Sequence, residues 1–396
     1  VRVRALLDDV QMEGLVTRLN ALNQHPNIEI RIFNPFSVRW RYRLWLFRLA
    51  EFAIDGNRLN HRMHNKLLVV DNEMAILGGR NIGDDYFGRN TKRNFVDLDV
   101  LVDGALVPEL ARGFDLYWNS RWAYPANALL NLAVVPDDLA RLAVRIDDRL
   151  SAFPELLELD EHTDYTRTVR AHALGTPLAR AEILVDDPSV SWFDKPDQVA
   201  AQLLNIADSA EHEILVVTPY LIPTTRLFKV AGQLHARGVK LQALTNSLQT
   251  NDVVIAQSAY GKYRRRLLQT GIELFEIRGD AAFNSEDIAA EFSLHQKYIL
   301  IDDRYVILGS VNLDPRSLLL NTELGLFLES PLLVKALKAS FAAMTTPENA
   351  WQIVLDGEGK LSWRSSTENR RSTPAKNLWQ RLRYNFFKLL PLSRQL

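Results

Sequence analysis

The stretch "HRMHNKLLVVDNEMAILGGRN" at residues 61–81 returns in related form as "HQKYILIDDRYVILGSVN" at residues 295–312. Both fit the pattern His-x-Lys-x4-Asp-x6-Gly-[Gly/Ser]-x-Asn, with no difference in spacing. Two copies of one pattern in a chain indicate an internal repeat, in which each copy forms the same local structure. The pattern therefore predicts two similar structural units.

Each copy predicts a β-hairpin. In the first copy, residues 66–71 and 74–79 would be strands, joined by the two-residue turn Asn72-Glu73. In the second copy the turn would be Asp303-Arg304. Residues opposite each other in a hairpin share one face, as do residues two apart along a strand. Each hairpin would then have a polar set on one face: His64, Lys66 and Asn81 in the first, and His295, Lys297 and Asn312 in the second.

The lysines would lie opposite small residues in these hairpins. Lys66 would face Gly79, and Lys297 would face Ser310. Because these residues are small, we expect space for an anion beside each lysine. This makes Gly79 and Ser310 candidate substrate-binding residues.

The acidic residues fall into two groups. Asp71 and Asp302 belong to the motif and are candidate catalytic residues, although strand parity turns them to the opposite face and favours a role in the turn. Asp97 and Glu323 follow the hairpins in segments that align with each other, 95–107 and 322–334. They are better candidates for carboxylates that orient the histidines.

The repeat extends beyond the motif. Each half reads as strand, variable connection, hairpin, strand and helix, and strands rich in Val, Ile and Leu alternate with helical patterns. This favours an α/β sandwich with buried sheets. The second half also contains a helix and a strand at 200–221, so we expect one helix and one strand to be missing before Val1. We divide the chain by sequence into a first repeat (1–125), a linker of helical and loop segments (126–185), a second repeat (186–350) and a basic tail (351–396).

Composition places limits on function. The 396 residues carry a net charge of −1, and 47% are apolar. A nucleic-acid binder usually has a basic excess, so near-neutrality disfavours that class. The sequence has no cysteine and no run of 18 apolar residues, so it predicts no disulfide, no thiolate metal site and no transmembrane helix.

The paired polar faces suit phosphate chemistry. Lysine ammonium groups, asparagine amides and imidazoles can stabilise charge that develops on phosphate oxygens. One histidine could attack phosphorus to give a phosphohistidine, while the other protonates the leaving alcohol and then deprotonates the incoming one. Lys66 and Lys297 supply positive charge, so we predict no cofactor and no metal. His61 and His64 could instead be metal ligands, but no second cluster of ligands supports this reading.

With its two motif copies, the sequence resembles the phospholipase D superfamily, whose signature is two copies of His-x-Lys-x4-Asp. Finer features resemble bacterial cardiolipin synthases, especially their C-type branch: "GGRNIGDDYF" (78–87), "FDLYWNSRWAYP" (114–125), "TPYLIP" (218–223), "LTNSLQTND" (244–252), "YGKYRRRLLQTGIELFE" (260–276), "NLDPRSLLLNTELG" (312–325) and "LLPLSRQL" (389–396). Gln257 and the run "DDPSV" (186–190) depart from what we expect of these relatives.

The resemblance implies two pseudo-symmetric α/β/α halves with mixed sheets around one shared active site. It implies transfer of a phosphatidyl group, from phosphatidylglycerol or phosphatidylethanolamine, to phosphatidylglycerol, which makes cardiolipin. It also implies that Glu323 orients the histidine of its own hairpin, that His64 attacks first, and that Tyr220 contacts the substrate.

Two segments predict contact with an anionic membrane. Apolar residues of 378–390 fall on one side of a helix, and this segment with the run 39–48 is rich in basic and aromatic residues. The candidate membrane-contact residues are Arg39, Trp40, Arg41, Trp45, Trp379, Arg381, Arg383, Phe386 and Lys388. Either segment could instead pack on the protein itself. We expect a peripheral protein of the bacterial inner membrane, on its cytoplasmic face, with phospholipid substrates and with any protein partner unknown.

Other functions fit the same motifs. A phospholipase or a phosphatidylserine synthase-like enzyme would use the same site, and a nuclease of the superfamily is disfavoured by the net charge. A catalytically silent lipid-binding scaffold is a hypothesis of a different class. The completeness of both motif copies argues against it, as it argues against a purely structural motif.

Overall fold

The computed structural model describes residues 1–11, 15–36, 45–129, 137–151, 178–189, 199–281 and 291–390. Three candidate membrane residues, Arg39, Trp40 and Arg41, lie outside the described residues. Trp45 begins a helix, but its side chain also lies outside the description.

The strands, in chain order, are β1 Val3–Asp8, β2 Ile28–Phe33, β3 Leu67–Val70, β4 Met74–Gly78, β5 Arg93–Val96, β6 Asp99–Asp103, β7 Ala123–Pro125, β8 Arg180–Val185, β9 Glu213–Val217, β10 Lys240–Asn246, β11 Ile272–Ile277, β12 Glu291–Leu294, β13 Tyr298–Ile301, β14 Tyr305–Gly309, β15 Leu324–Glu329, β16 Ala350–Leu355, β17 Leu361–Arg364 and β18 Asn369–Arg370. The helices are α1 Val16–Leu22, α2 Trp45–Asn60, α3 Val107–Trp118, α4 Ala126–Leu129, α5 Asp138–Leu150, α6 Val199–Asp208, α7 Thr225–Ala236, α8 Val254–Tyr260, α9 Arg264–Gln269, α10 Pro315–Leu319, α11 Pro331–Met344 and α12 Leu378–Leu389.

The chain forms two compact units that do not follow the repeat boundaries. The first comprises Val1–Met63, Arg112–Leu178 and Asp187–Val190. In it, β1 pairs with β2 in parallel, and β7 pairs with β2 in the antiparallel direction. Its small core contains Ile30, Ile32 and Ala126.

The second unit comprises His64–Ala111, Ala179–Asp186 and Ser191–Leu396, so it contains both motif copies. Its main sheet has ten strands, in the order β18-β17-β16-β11-β10-β9-β13-β14-β15-β8. β9, β10 and β11 are mutually parallel, and β13, β14 and β15 are antiparallel. The sheet is therefore mixed.

Both faces of the main sheet are covered. Alternate residues of β13 enter different apolar clusters: Ile299 and Ile301 pack with α6 and α7, whereas Tyr298 and Leu300 pack with α11. A strand buried on both faces is expected to be a continuous apolar run, as "YILI" is. The prediction of a mixed α/β fold is confirmed.

A second, three-stranded sheet repeats part of the first. Its order is β3-β4-β6, with antiparallel pairing as in β13-β14-β15. Ala75 and Leu77 on β4 join the same apolar cluster as Tyr298 and Leu300. The two hairpins of the motif are thus equivalent elements packed within one unit.

The predicted hairpin register is wrong by one residue in both copies. Leu67 pairs with Leu77, and Tyr298 pairs with Leu308; the predicted register would have paired each with the following glycine. The reason is a three-residue loop, Asp71–Glu73 in the first copy, in which Asp71 and Asn72 have φ angles of 54° and 58°. Short polar side chains tolerate this left-handed conformation, so the turn begins one residue earlier than predicted.

Candidate active site

The two motif histidines are held by carboxylates from opposite repeats. His64 Nδ1 lies 2.9 Å from Glu323 Oε2, and His295 Nδ1 lies 2.6 Å from Asp97 Oδ2. The sequence hypothesis selected these two carboxylates, but the pairing it assigned to Glu323 is wrong. Each carboxylate binds the histidine of the other repeat, which links both motifs in one site.

The backbone supports this crossed arrangement. The His64 backbone N–H donates to the carbonyl of Thr322, the residue before Glu323, at 2.9 Å. The His295 N–H donates at 2.8 Å to the carbonyl of Val96, which precedes Asp97. The second contact continues the parallel pairing of β5 with β12. Each imidazole and its carboxylate are therefore positioned by main-chain bonds as well as by their own contact.

Glu323 lies in a dense network of hydrogen-bond donors. Ser310 Oγ donates to Oε2, and Ser317 Oγ donates to Oε1 at 2.6 Å. Burial raises the pKa of this carboxyl. His64, Lys66 and the Ser310 hydroxyl lower it by more, so the net pKa lies below the usual value. Glu323 is thus ionised and can accept a hydrogen bond from the Nδ1–H of His64.

Asp97 is held differently. Its Oδ1 accepts the backbone N–H of Leu98 at 2.9 Å, and a Cβ at Gly79 would lie only 2.2 Å from the same oxygen. Burial raises the pKa of Asp97 above its usual value, although Lys297 lowers it. Glycine is needed at position 79 because the carboxylate fills that space.

This geometry corrects the roles expected of Gly79 and Ser310. The space beside Gly79 is occupied by the Asp97 carboxylate, and the Ser310 hydroxyl donates to Glu323. Both residues therefore act through the carboxylates that hold the histidines, and not as a pocket for an anion.

The two lysines differ in burial. Lys66 Nζ donates to its own motif's His64 carbonyl at 2.7 Å. Lys297 Nζ donates to the His295 carbonyl and lies 2.7 Å from His295 Nδ1, with the residue only 3% exposed. Burial lowers the pKa of Lys297 to about 7, although the negative charge of Asp97 opposes this shift. A bound phosphodiester would supply a second anion and favour the charged form.

Both imidazoles favour the neutral form in the free protein. Burial lowers the pKa of His64, and Lys66 and Lys297 lower it further, although Glu323 opposes them. The pKa of His295 is well below its usual value because of burial and the positive charges of Lys297 and Lys66. His64 also contributes to that shift, so the two rings lie within electrostatic range of each other.

The motif asparagines do not lie in equivalent contacts. Asn81 Nδ2 donates to the Tyr86 hydroxyl at 2.6 Å. Asn312 is 6% exposed, and its buried Oδ1 has no hydrogen-bond partner among the described residues. Both asparagines follow the ends of β4 and β14, so the cross-strand pairing predicted for them does not extend that far.

The motif aspartates lie at the turns. Asp302 accepts the backbone N–H groups of Glu211, His212 and Glu213, at 2.8–3.1 Å, and so ties the turn to the start of β9. Asp71 is exposed and has a left-handed backbone. Both are separated from the histidines by the length of a strand, so we treat Asp71 and Asp302 as turn residues and not as catalytic ones.

Two residues near the site were missed by sequence reasoning about chemistry. The ring of Tyr86 contacts His295 edge-on, with centroids 5.1 Å apart. Asp252 accepts a hydrogen bond from the hydroxyl of Tyr220, the predicted substrate contact, at 2.8 Å. Tyr86 and Asp252 lie in the runs 78–87 and 244–252, which stood out by resemblance, but neither run gave a spacing that pointed to them.

The C-terminal helix α12 docks on the second unit by one face. Tyr384 is 3% exposed, and its hydroxyl accepts a hydrogen bond from Arg264 at 2.8 Å, while Arg264 in turn pairs with Glu276 at 2.6 Å. The opposite face remains open: Leu378, Trp379, Leu382, Phe386 and Leu389 are between 49% and 84% exposed. Arg381 and Arg383 are also exposed, and Lys388 is half-buried. Among the described residues, no helix is both long and apolar enough to cross a bilayer.

Comparisons with known proteins bear on the family of this chain. Residues 203–345 match the family "Cardiolipin synthase, PLD-like domain". The chain is 34% identical to "Cardiolipin synthase C" of Escherichia coli (strain K12) over 410 residues, covering 99% of this chain and 84% of that protein. It is 26% identical to a "Cardiolipin synthase" of Staphylococcus aureus (strain Mu50) over 342 residues, covering 86% of this chain and 56% of the relative.

Among solved structures, the fold is similar to that of phosphatidylserine synthase from Haemophilus influenzae Rd KW20. The TM-score is 0.57 at 14% identity, covering 100% of this chain and 90% of the other. That similarity shows the fold, and the relatives above show the family. The chain is an enzyme of the phospholipase D superfamily and belongs to its cardiolipin synthase-like family.

Proposed function

We propose that this enzyme is a phosphatidyltransferase that makes cardiolipin from membrane phospholipids. In this proposal it moves a phosphatidyl group from phosphatidylglycerol or phosphatidylethanolamine to a glycerol hydroxyl of phosphatidylglycerol. The observation that carries the proposal is the pair of crossed contacts, His64 with Glu323 and His295 with Asp97. Each contact orients one imidazole through a carboxylate of the opposite repeat, which supports a mechanism with one histidine as nucleophile and the other as acid and base.

In the first step, His64 Nε2 attacks the phosphorus of the donor lipid. Its Nδ1 proton is held by the ionised Glu323, which stabilises the positive charge that develops on the ring. The bond from phosphorus to the headgroup oxygen breaks, and His295, protonated when the anionic substrate is bound, gives its proton to that oxygen. Lys66 and Lys297 stabilise the phosphoryl oxygens.

In the second step, the roles of the acid and base reverse. His295, now neutral, takes the proton from a hydroxyl of phosphatidylglycerol, and the resulting oxygen attacks phosphorus. The phosphorus–nitrogen bond to His64 breaks, which releases cardiolipin and restores both histidines. We assign His64 as the nucleophile because its side chain is 24% exposed, against 7% for His295, and because its partner carboxylate has a lowered pKa.

The test is lipid mass spectrometry on vesicles of phosphatidylglycerol, with and without phosphatidylethanolamine. We expect cardiolipin from the wild-type protein and none from His64→Ala or His295→Ala, with the fold of both variants checked by circular dichroism. Release of glycerol or of ethanolamine identifies the donor. The exposure of His64 favours one rival, a hydrolase that admits water; phosphatidic acid as the main product would replace the proposed transfer by hydrolysis.

We also propose that α12 holds the enzyme on an anionic phospholipid surface. Its exposed apolar residues lie opposite Tyr384, which docks the helix, and Arg381 and Arg383 flank them. An apolar stripe beside basic residues suits the boundary between headgroups and acyl chains. The enzyme would then be a peripheral protein of the bacterial inner membrane. We predict that it binds the cytoplasmic face of that membrane.

The membrane proposal has its own experiment. Trp379→Ala with Phe386→Ala should weaken sedimentation with phosphatidylglycerol vesicles by about tenfold or more, because two aromatic side chains leave the interface. Lys66→Met serves as a control that should reduce turnover and leave sedimentation unchanged. Equal sedimentation of the double variant and the wild type would exclude α12 as the membrane contact.

A further inference from the structure

One side of the active site carries a cluster of polar residues that the chemistry above does not use. We call Tyr86, Tyr220 and Asp252 the headgroup cluster. Tyr86 contacts the His295 ring and stacks on Phe95, with centroids 5.1 Å and 4.6 Å away. Tyr86 therefore lies on the His295 side of the site.

Asp252 is the charged member of the cluster. Its Oδ1 accepts the Tyr220 hydroxyl at 2.8 Å. The residue is half-buried, and among the described residues it has no ion pair with a basic side chain. Burial raises the pKa of Tyr86 and Tyr220, and the charge of Asp252 adds to both shifts. Burial lowers the pKa of Lys297, and the charge of Asp252 is one of those that oppose this shift.

The segment that carries Asp252 is fixed to the strand that leads to His295. The Asn246 amide accepts the N–H of Leu294 at 2.9 Å and donates to the carbonyl of the same residue at 2.8 Å. Ser293 Oγ donates to the carbonyl of Thr250, two residues before Asp252. These contacts hold the backbone before Asp252 against the strand that precedes His295, and the Tyr220 hydroxyl holds the Asp252 side chain, as selective binding requires.

A carboxylate in this position opposes phosphate binding unless the substrate offers it a partner. Two anions near each other repel, and more strongly in a partly buried site than in water. Lys297 does not need Asp252 as a counter-ion, because Asp97 is the larger influence that raises its pKa. A group on the substrate that donates a hydrogen bond would turn this repulsion into attraction.

We propose that Asp252, held by Tyr220, binds the hydrogen-bond donor on the headgroup alcohol of the phospholipid, a hydroxyl or an ammonium group. This inference rests on the proposed function, in which His295 protonates the leaving alcohol and deprotonates the incoming one. Both alcohols pass on the His295 side, so one subsite serves the donor headgroup and the acceptor headgroup. Selectivity for the alcohol then comes from Asp252, while the two motifs act on any phosphodiester.

The experiment compares headgroup release from lipids with and without such a donor. Phosphatidylglycerol and phosphatidylethanolamine carry one, and phosphatidylmethanol does not. Asp252→Ala should lower kcat/KM for the first two by on the order of 10–100-fold, the effect of losing a hydrogen bond to a charged group. For phosphatidylmethanol, kcat/KM of the variant should stay within about twofold of the wild-type value. Tyr220→Phe should shift selectivity in the same direction by a smaller factor.

The control is Asp208→Ala, which removes an exposed carboxylate paired with Arg237 outside the described site. It should change none of the three rates. Asp252→Asn separates the two donors: the amide oxygen still accepts from a hydroxyl, so a small loss with phosphatidylglycerol identifies that group. A loss with phosphatidylethanolamine as large as for Asp252→Ala identifies an ammonium group, which needs the charge.

Two results would overturn the inference. One is an equal fall of kcat/KM for all three lipids in Asp252→Ala, which would mean that Asp252 acts on Lys297. The other is an unchanged kcat/KM for every lipid. Failure of the proposed function is seen separately, as headgroup release by the wild type without cardiolipin. If the wild type releases no headgroup, the subsite is tested by binding instead. Isothermal calorimetry measures the affinities for glycerol 3-phosphate, phosphoethanolamine and methyl phosphate. Equal affinities for the wild type would refute the subsite, and a preference lost in Asp252→Ala would support it.

Discussion

The two motif hairpins share a sequence pattern but not an environment. β13, which follows His295, is fully buried between β9 and β14 inside the ten-stranded sheet. β3, which follows His64, alternates between half-buried and exposed residues, and β4 is its only strand partner among the described residues. The pattern therefore sets which groups are present, and burial sets their charge. Burial holds the pKa of His295 well below its usual value and lowers that of Lys297 to about 7.

The largest expected effect tests whether the two histidines have different roles. His64→Ala should reduce turnover of phospholipids by about 10⁴-fold or more, because no nucleophile remains. His295→Ala should have a similar effect on phospholipids, but a p-nitrophenyl phosphodiester should restore its activity, since that leaving group needs no acid. Rescue is measured as p-nitrophenolate release. Rescue of His64→Ala and not of His295→Ala would reverse the assignment.

The next largest effects are expected from replacing the two carboxylates. Glu323→Gln should cost up to about 10⁴-fold, because an amide can donate to Nδ1 and put the proton on Nε2, as in the Ser-His-Asp triad. Asp97→Asn should cost less, since His295 must carry a proton at Nε2 in the first step. The comparison is made by single-turnover rates of headgroup release. If Asp97→Asn is the slower variant, the proposed assignment of His64 as nucleophile and His295 as acid is wrong.

Replacing the lysines separates catalysis from stability. Lys66→Met and Lys297→Met should each slow turnover by about 10²–10³-fold. Only Lys297→Met should also raise the melting temperature, by about 2–5 °C, because it removes an ammonium group that the folded protein disfavours relative to the unfolded chain. Lys66 is the matched control in the more exposed copy. Thermal melts at pH 7 measure the difference, and no stabilisation in Lys297→Met would contradict the burial argument.

The same lysine predicts a pH dependence. Unfolded lysine has a pKa of about 10.4, and burial lowers that of Lys297 to about 7. Between these values the unfolded chain binds a proton that the folded protein does not, so the free energy of unfolding rises with pH across this window. Lys297→Met should lose this rise, whereas Lys66→Met should keep it. Urea unfolding at pH 7, 8 and 9 provides the measurement.

The smallest effects concern the residues next to the carboxylates. Gly79→Ala would put a Cβ 2.2 Å from Asp97 Oδ1, so the carboxylate must move, and we expect a loss of about 10–100-fold. Ser310→Ala removes one donor to Glu323, which keeps Ser317 and His64, so a loss of a few-fold is expected. Steady-state rates on phosphatidylglycerol vesicles rank the two. The opposite order would show that the glycine's small size matters less than the serine hydroxyl.

The sequence was informative where side-chain identity alone carried the signal. The repeated spacing identified the two His-Lys-Asn sets, the hairpins and the importance of Asp97 and Glu323. It did not give the register, because a left-handed Asp71 costs little and no residue pattern marks the extra loop position. Nor did it give the roles of Gly79 and Ser310, which depend on strands β6 and β15 beside the hairpins.

For this enzyme, the sequence by itself determined the family and the mixed α/β class, because both follow from residue identities, their spacing and the alternation of apolar patterns along the chain. Tertiary structure decided that each carboxylate binds the histidine of the opposite repeat, that one copy is buried more deeply, and that Tyr86 contacts His295 while Asp252 contacts Tyr220. These outcomes depend on contacts between segments about 200 residues apart, such as Asp97 with His295. Burial and local charge act through space, so no pattern along the chain reports them.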